Sequence, residues 1–157
     1  MSTLPQVQSD QFAQSPVRGD LDLSIMHGGI VTGTMYSAGP TDTFAAGSRV
    51  KLNTAAAVAG ALPSFVAAAD NEAAFGVIKR TPQKALFAVG DVVEVVMAGN
   101  PSVIWQCAGA TITPGLSVGL ATGFVVAADG SHTAMGVALD YAIDSTMLRV
   151  IVGAAAC

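Results

Sequence analysis

From Gly28 onward the chain alternates short apolar runs with Gly, Pro, Asn and Asp, at roughly 10- to 15-residue intervals. The runs predict strands at Ile30 to Met35, Arg49 to Asn53, Ser64 to Ala68, Ala74 to Lys79, Val92 to Met97 and Val103 to Cys107. Further strands are expected at Ser117 to Ala121, Phe124 to Ala127, Ala134 to Leu139 and Met147 to Val152. In Arg49-Val50-Lys51-Leu52-Asn53 the alternation points Val50 and Leu52 inward, with Arg49 and Lys51 outward. Thr122-Gly123 reads as a hairpin and Asp129-Gly130 as a tight turn. The alanine-rich stretch from Asn53 to Leu62 fits a short helix or a loop. No long amphipathic helix is visible, so the expected class is all-β, a small barrel or sandwich.

One pattern occurs twice. Ala74-Phe75-Gly76-Val77-Ile78 precedes Gly90-Asp91-Val92-Val93-Glu94-Val95-Val96, and Ala134-Met135-Gly136-Val137-Ala138 precedes Met147-Leu148-Arg149-Val150-Ile151-Val152. The spacing differs between the copies, which reads as a loose echo rather than a solenoid repeat.

Residues 1–27 carry no apolar period and read as an extended N-terminal arm before a β domain at 28–157. Apolar residues are spaced along the arm: Leu4, Val7, Phe12, Val17, Leu21, Leu23 and Ile25. Such anchors suit binding along another surface, by strand addition or groove filling, or folding over the arm's own domain. Both readings stay open.

Only 11% of residues are charged while 52% are hydrophobic, many of them alanine. A surface so poor in charge is often covered by a partner, which hints at assembly. The net charge of −4 opposes direct nucleic-acid binding, which needs Lys and Arg to neutralise phosphates. Five of the seven basic residues, Arg49, Lys51, Lys79, Arg80 and Lys84, fall between positions 49 and 84. They are either a docking face for an acidic protein surface or solvated strand ends. The two cysteines, Cys107 and Cys157, form no disulfide framework, and the N-terminus has no export-signal pattern. The uncharged stretch from Val95 to Ala128 is broken by Asn100, Pro101, Pro114 and several Gly, so no membrane span is expected.

The chemistry-bearing residues are sparse. Gly115-Leu116-Ser117-Val118-Gly119 matches the nucleophile-elbow spacing, with Asp129 and His132 downstream. That elbow needs a strand, a sharp turn and a helix, and Asp129 and His132 share one turn. The expectation is therefore no enzyme. His27 and His132 have no second ligand at metal spacing, so neither a metal nor a cofactor is expected. Arg18-Gly19-Asp20 is the tripeptide of adhesion ligands and would be presented if the arm were free. Trp105 alternates with Val103 and Cys107, which suggests a core position rather than a sugar-stacking platform.

A longer succession runs through the second half. Gly76-Val77-Ile78 is followed by Gly90-Asp91-Val92-Val93-Glu94-Val95, Val103-Ile104-Trp105, Ile112-Thr113-Pro114-Gly115, Met135-Gly136-Val137-Ala138 and Leu148-Arg149-Val150. In that order the phrases resemble the small cement, or decoration, proteins of tailed-bacteriophage heads, over about residues 47 to 152. The resemblance implies a non-enzymatic β domain on the outer surface of a virion, made in the host cytoplasm. It implies binding to the major capsid protein across subunit junctions, and a homo-oligomer, a trimer in preference to a dimer. It implies neither nucleic acid nor membrane as partner. The arm departs most from the family pattern. Alternatives are another virion part, such as a head fibre base or tail component, and a cell-surface or carbohydrate-binding β module. Contact candidates under the leading reading are Leu4, Val7, Phe12, Val17, Leu21 and Leu23 on the arm, with Arg49, Lys51, Lys79, Arg80 and Lys84 on the domain.

Overall fold

A computed structural model describes residues 16–22, 29–56, 61–98 and 102–153. The described residues form twelve strands and one short 3-10 helix at Thr54–Ala56. The all-β expectation holds. The first seven strands are β1 (Ile30–Met35), β2 (Thr43–Ala45), β3 (Arg49–Leu52), β4 (Ser64–Ala67), β5 (Gly76–Ile78), β6 (Leu86–Ala88) and β7 (Val92–Met97). Strands β1-β4-β3-β5-β7 close into a barrel, and β2 pairs with β6 as a separate two-stranded ribbon. The remaining strands are β8 (Ser102–Cys107), β9 (Ser117–Ala121), β10 (Phe124–Ala127), β11 (Gly136–Ala138) and β12 (Met147–Val152), in the sheet order β10-β9-β11-β12-β8.

The two assemblies are copies of one unit. Going round the barrel from β4, the order β4-β3-β5-β7-β1 matches β10-β9-β11-β12-β8 strand for strand. The registers agree as well: Gly76 faces Met97 and Gly136 faces Val152, while Val50 faces Gly76 and Val118 faces Gly136. The parallel pairing that closes the first barrel, Met35 to Phe65, has its counterpart in a single parallel bridge from Ala108 to Val125. Even the hydrogen bonds off that closure correspond. Tyr36 N–H donates to Phe65 O at 2.8 Å, and Gly109 N–H to Val125 O at 2.8 Å. The pattern noticed twice in the sequence is thus part of a duplicated five-stranded unit, a closed barrel in the first copy and a five-stranded sheet with one bridge between its edge strands in the second. Its spacing differs because the β5-to-β7 connection is longer and holds β6 as a full strand, where the second unit has only the bridge Ile112 to Ala142.

Each unit is organised by a pair of identical turns. A buried residue is followed three positions later by a residue with positive φ, then three later by another buried residue. The four copies are Phe44/Gly47/Val50, Phe87/Gly90/Val93, Ile112/Gly115/Val118 and Ala142/Ser145/Leu148. Gly47, Gly90 and Gly115 have φ of 84°, 87° and 83°, the left-handed region that glycine enters without steric cost. Ser145 takes the same place at φ 64°. The first buried residues of each pair meet across the ribbon, Phe44 opposite Phe87 and Ile112 opposite Ala142.

Two apolar cores result. One holds Met35, Phe44, Val50, Phe65, Ile78, Phe87, Val93 and Val95. The other holds Ile104, Ile112, Val118, Val125, Leu148 and Val150, and also takes in Val77 and Val96 from the first unit, so the units share packing along one seam. This seam corrects two local readings. Arg49 is buried and Leu52 exposed, so the outer face of β3 at Arg49 is covered. In β8, Ile104 and Gln106 are fully buried and Trp105 only partly, the reverse of the expected phase. The strand is covered on both faces, and its inner row is Ile104 rather than Trp105.

Candidate functional site

The segment 17–22 lies along β8 and against the first unit. Gly19 N–H donates to Trp105 O at 2.8 Å, Trp105 N–H to Asp20 O at 2.8 Å, and Asp22 N–H to Val103 O at 2.8 Å. Leu21 bridges to Ile104 and packs on the second core. On the other side, Arg80 N–H donates to Gly19 O at 2.9 Å. The tripeptide Arg18-Gly19-Asp20 is therefore wedged between the units and not presented. Gly19 is buried at φ 86°, and a Cβ there would lie 2.7 Å from Ala46 Cβ. Asp20 accepts from Val17 N–H and pairs with Arg80 at 3.2 Å. Val17 is exposed and Leu21 partly buried; Leu4, Val7, Phe12 and Leu23 lie outside the described residues, as does His27.

The basic cluster is internally matched. Lys51 pairs with Glu72 at 2.8 Å, Lys79 with Glu94 at 2.7 Å, Arg80 with Asp20, and Lys84 with Asp91 at 2.6 Å. Arg49 donates to the carbonyls of Ala69, Asp70 and Glu72, clamping the turn after β4. The hydrogen bonds from Lys51 and from Ala69 N–H hold the Glu72 carboxyl below its ordinary range, and Lys84 with Ala88 N–H does the same for Asp91. With four of the five cations paired to acids and Arg49 buried, the cluster projects much less field than the sequence count suggests. The pairing could not be read from sequence, because it depends on which strands and turns the fold brings side by side: Glu94 of β7 reaches Lys79, and Asp20 of the N-terminal segment reaches Arg80.

A second network lies on the second unit. Asp140 accepts from Arg149 through Nε at 2.9 Å and Nη2 at 2.7 Å, and Asp22 lies 3.5 Å from Arg149 Nη1. The guanidinium also sits 5.6 Å from the centre of the Trp105 ring. These contacts push the Arg149 pKa up and the Asp140 pKa down, each mainly through their shared hydrogen bonds. Trp105 is thus occupied by an intramolecular cation.

Ser117 lies in the β9 ladder opposite Val137, after the turn at Gly115, so the nucleophile-elbow spacing falls on a strand with no following helix. His132 Nδ1 lies 2.9 Å from Asp129 Oδ1 within one turn. Backbone N–H groups of Ser131 and His132 also bind Asp129 and keep its pKa low. Among the described residues no group of three His, Cys, Asp or Glu is placed to hold a metal ion, and no helix is long and apolar enough to cross a membrane.

Between the units, beside Arg18, opens a cleft of about 560 Å³ lined in part by Phe44, Arg49, Asp70, Leu120 and Gly123. Both units contribute to it, and no residue of it was singled out as a pocket in the sequence. The signal available there was the fourfold turn spacing, which would have marked Gly47 and hence the approach of Arg18 to it.

No family model and no curated protein sequence matches this chain. Among solved structures the chain is similar to the head fibre gp8.5 N base of bacteriophage phi29, with a TM-score of 0.52 and 17% identity. The similarity covers 79% of this chain and 92% of that one, more residues than either five-stranded unit holds, and shows a shared fold.

Proposed function

We propose that this protein is a non-catalytic structural component of a bacteriophage virion, seated on the outer surface of the head. The observation that carries the reading is the fold likeness to a head fibre base over most of both chains. The order of strand phrases that resembles head decoration proteins points the same way, as does a surface with little charge. The head fibre base is the nearer of the two templates, because the likeness to it extends across both units. Partners would be the major capsid protein and further copies of this chain, a trimer in preference to a dimer. A protein that binds only the assembled shell stabilises it by linkage, in proportion to the logarithm of occupancy. Co-sedimentation with expanded heads lacking the protein should show saturable binding, with none to isolated capsid subunits. Equal binding to both, or to neither, would remove the proposal. Heat stability of the reconstituted heads separates the two templates: a cementing role raises it, and a fibre base leaves it unchanged.

A further inference from the structure

Seven Lys and Arg residues are present, and five of them are ion-paired within the chain. The two that have no ion pair among the described residues, Arg18 and Arg49, both line the cleft between the units. Arg49 is 3% exposed and its Nε is buried without a partner; the Nη2 of Arg18 is likewise buried without one. Arg18 is held in place from behind. Its Nε donates to Gln106 Oε1 at 3.0 Å, and Gln106 Nε2 donates to Gly47 O at 3.0 Å. Gln106 is fully buried, so this support is fixed by packing. In front, a Cβ at Gly123 would lie 3.2 Å from Arg18 Nη1, so that glycine leaves the guanidinium fork its room. The lining also holds two acids: Asp42 accepts from Ser37 Oγ, and Asp70 accepts from Thr122 N–H at 3.1 Å and lies close enough to Arg49 to favour its charged form.

A fixed, partly buried guanidinium with an unpartnered Nη2 and no ion pair among the described residues is a recognition element for a carboxylate. The apolar wall of Phe44 and Leu120 adds room for a short hydrocarbon stem. We propose that the inter-unit cleft is a carboxylate-binding site, in which an acidic group seats on Arg18 with its stem against Phe44 and Leu120. The carboxylate comes either from an Asp or Glu side chain of a partner protein or from a free small acid. The site belongs to this chain alone and stands whether or not the capsid reading does.

The test uses the full chain, labelled with ¹⁵N, at constant ionic strength. Glutarate and the blocked peptide N-acetyl-Ala-Glu-Ala-amide are titrated, with the Gln peptide as control. The Arg18 Nε–H and Gly123 amide signals should shift saturably with glutarate and the Glu peptide and stay still with the Gln peptide. Tighter binding of the peptide assigns the site to a protein partner, and tighter binding of glutarate to a free acid. Arg18→Met should abolish the Gly123 shift, with folding checked by circular dichroism. If that variant does not fold, Arg18→Lys, which keeps the charge but loses the fork, should weaken binding several-fold. No saturable shift, equal shifts with Glu and Gln peptides, or undiminished binding in Arg18→Lys would each overturn the proposal.

Discussion

The two units stand on a pair of equivalent glycines, and substituting either should be costly for the same reason. Gly136 faces Val152 across the β11–β12 ladder, and a Cβ on it would lie 1.9 Å from Ile151 O and 2.8 Å from Ile151 C. Gly76 faces Met97, and a Cβ on it would lie 2.2 Å from Val96 O. Both obstacles are backbone, so no side-chain rotation relieves them. A carbon and a carbonyl oxygen approach in sheets at about 3.3 Å. Gly136→Ala therefore demands that β11 and β12 part by more than an ångström, at the cost of overpacking strain of about 1–3 kcal/mol. The ladder bonds weakened by the shift add about 1 kcal/mol each. We expect a loss of about 3 kcal/mol for Gly136→Ala, which for a chain of this size lowers Tm by about 6–12 °C. Gly76→Ala should behave alike. Gly130→Ala has nothing within 4 Å of its Cβ and serves as the control, expected within about 0.5 kcal/mol of wild type. Urea unfolding and thermal melts read all three. A Gly136→Ala protein within about 1 kcal/mol of the control would refute the account of the ladder.

Other outcomes follow from the same structure. Thr122 sits at φ 47° before Gly123 at φ 90° in the β9–β10 hairpin. Thr122→Asn, which tolerates that region far better than a β-branched residue, should raise stability by about 0.5–1 kcal/mol in thermal melts. Asp140 is held below the usual carboxylate range by Arg149, so the pair's contribution is complete above the unfolded carboxylate pKa and is lost as pH falls through the lower native one. The urea midpoint gap between wild type and Asp140→Asn should accordingly be widest near neutrality and close in strong acid; a gap independent of pH would contradict this. Arg49→Met removes the side-chain donors to the carbonyls of Ala69, Asp70 and Glu72, of which Ala69 O and Asp70 O keep the backbone N–H of Glu72 and Thr133, and should cost about 1–3 kcal/mol, with faster hydrogen exchange confined first to residues 68–75. Deletion through Asp22 removes the Leu21 bridge and the Gly19 bonds to both units and should lower Tm markedly in thermal melts.

Much of the fold was legible because its strands obey local rules. Val92 to Met97, Ser117 to Ala121 and Phe124 to Ala127 stand where apolar runs and turn residues place them. Strands β2 and β6 were not legible as strands, since three residues give no period to read. The duplication was seen only in part, because the clearest repeated signal is the turn spacing of Phe44, Gly47 and Val50 rather than the strand text. Its fourth copy is disguised by Ala142, Ser145 and Leu148. Arg49 and Trp105 were misplaced for one reason: alternation assumes one covered face, and the seam between the units covers a second. The cleft was invisible, since it joins Arg18 of the N-terminal segment, β2, β3 and the hairpin at Gly123, which approach one another only after both units have closed.

The central claim is a place on the outside of a phage head, and an image of the particle tests it most directly. A cryo-electron microscopy reconstruction of the virion at near-atomic resolution should show the five-stranded barrel and its companion five-stranded sheet resting on the outer face of the capsid shell, in contact with the major capsid protein. Finding the two units in the tail, inside the shell, or nowhere on the particle would contradict the account.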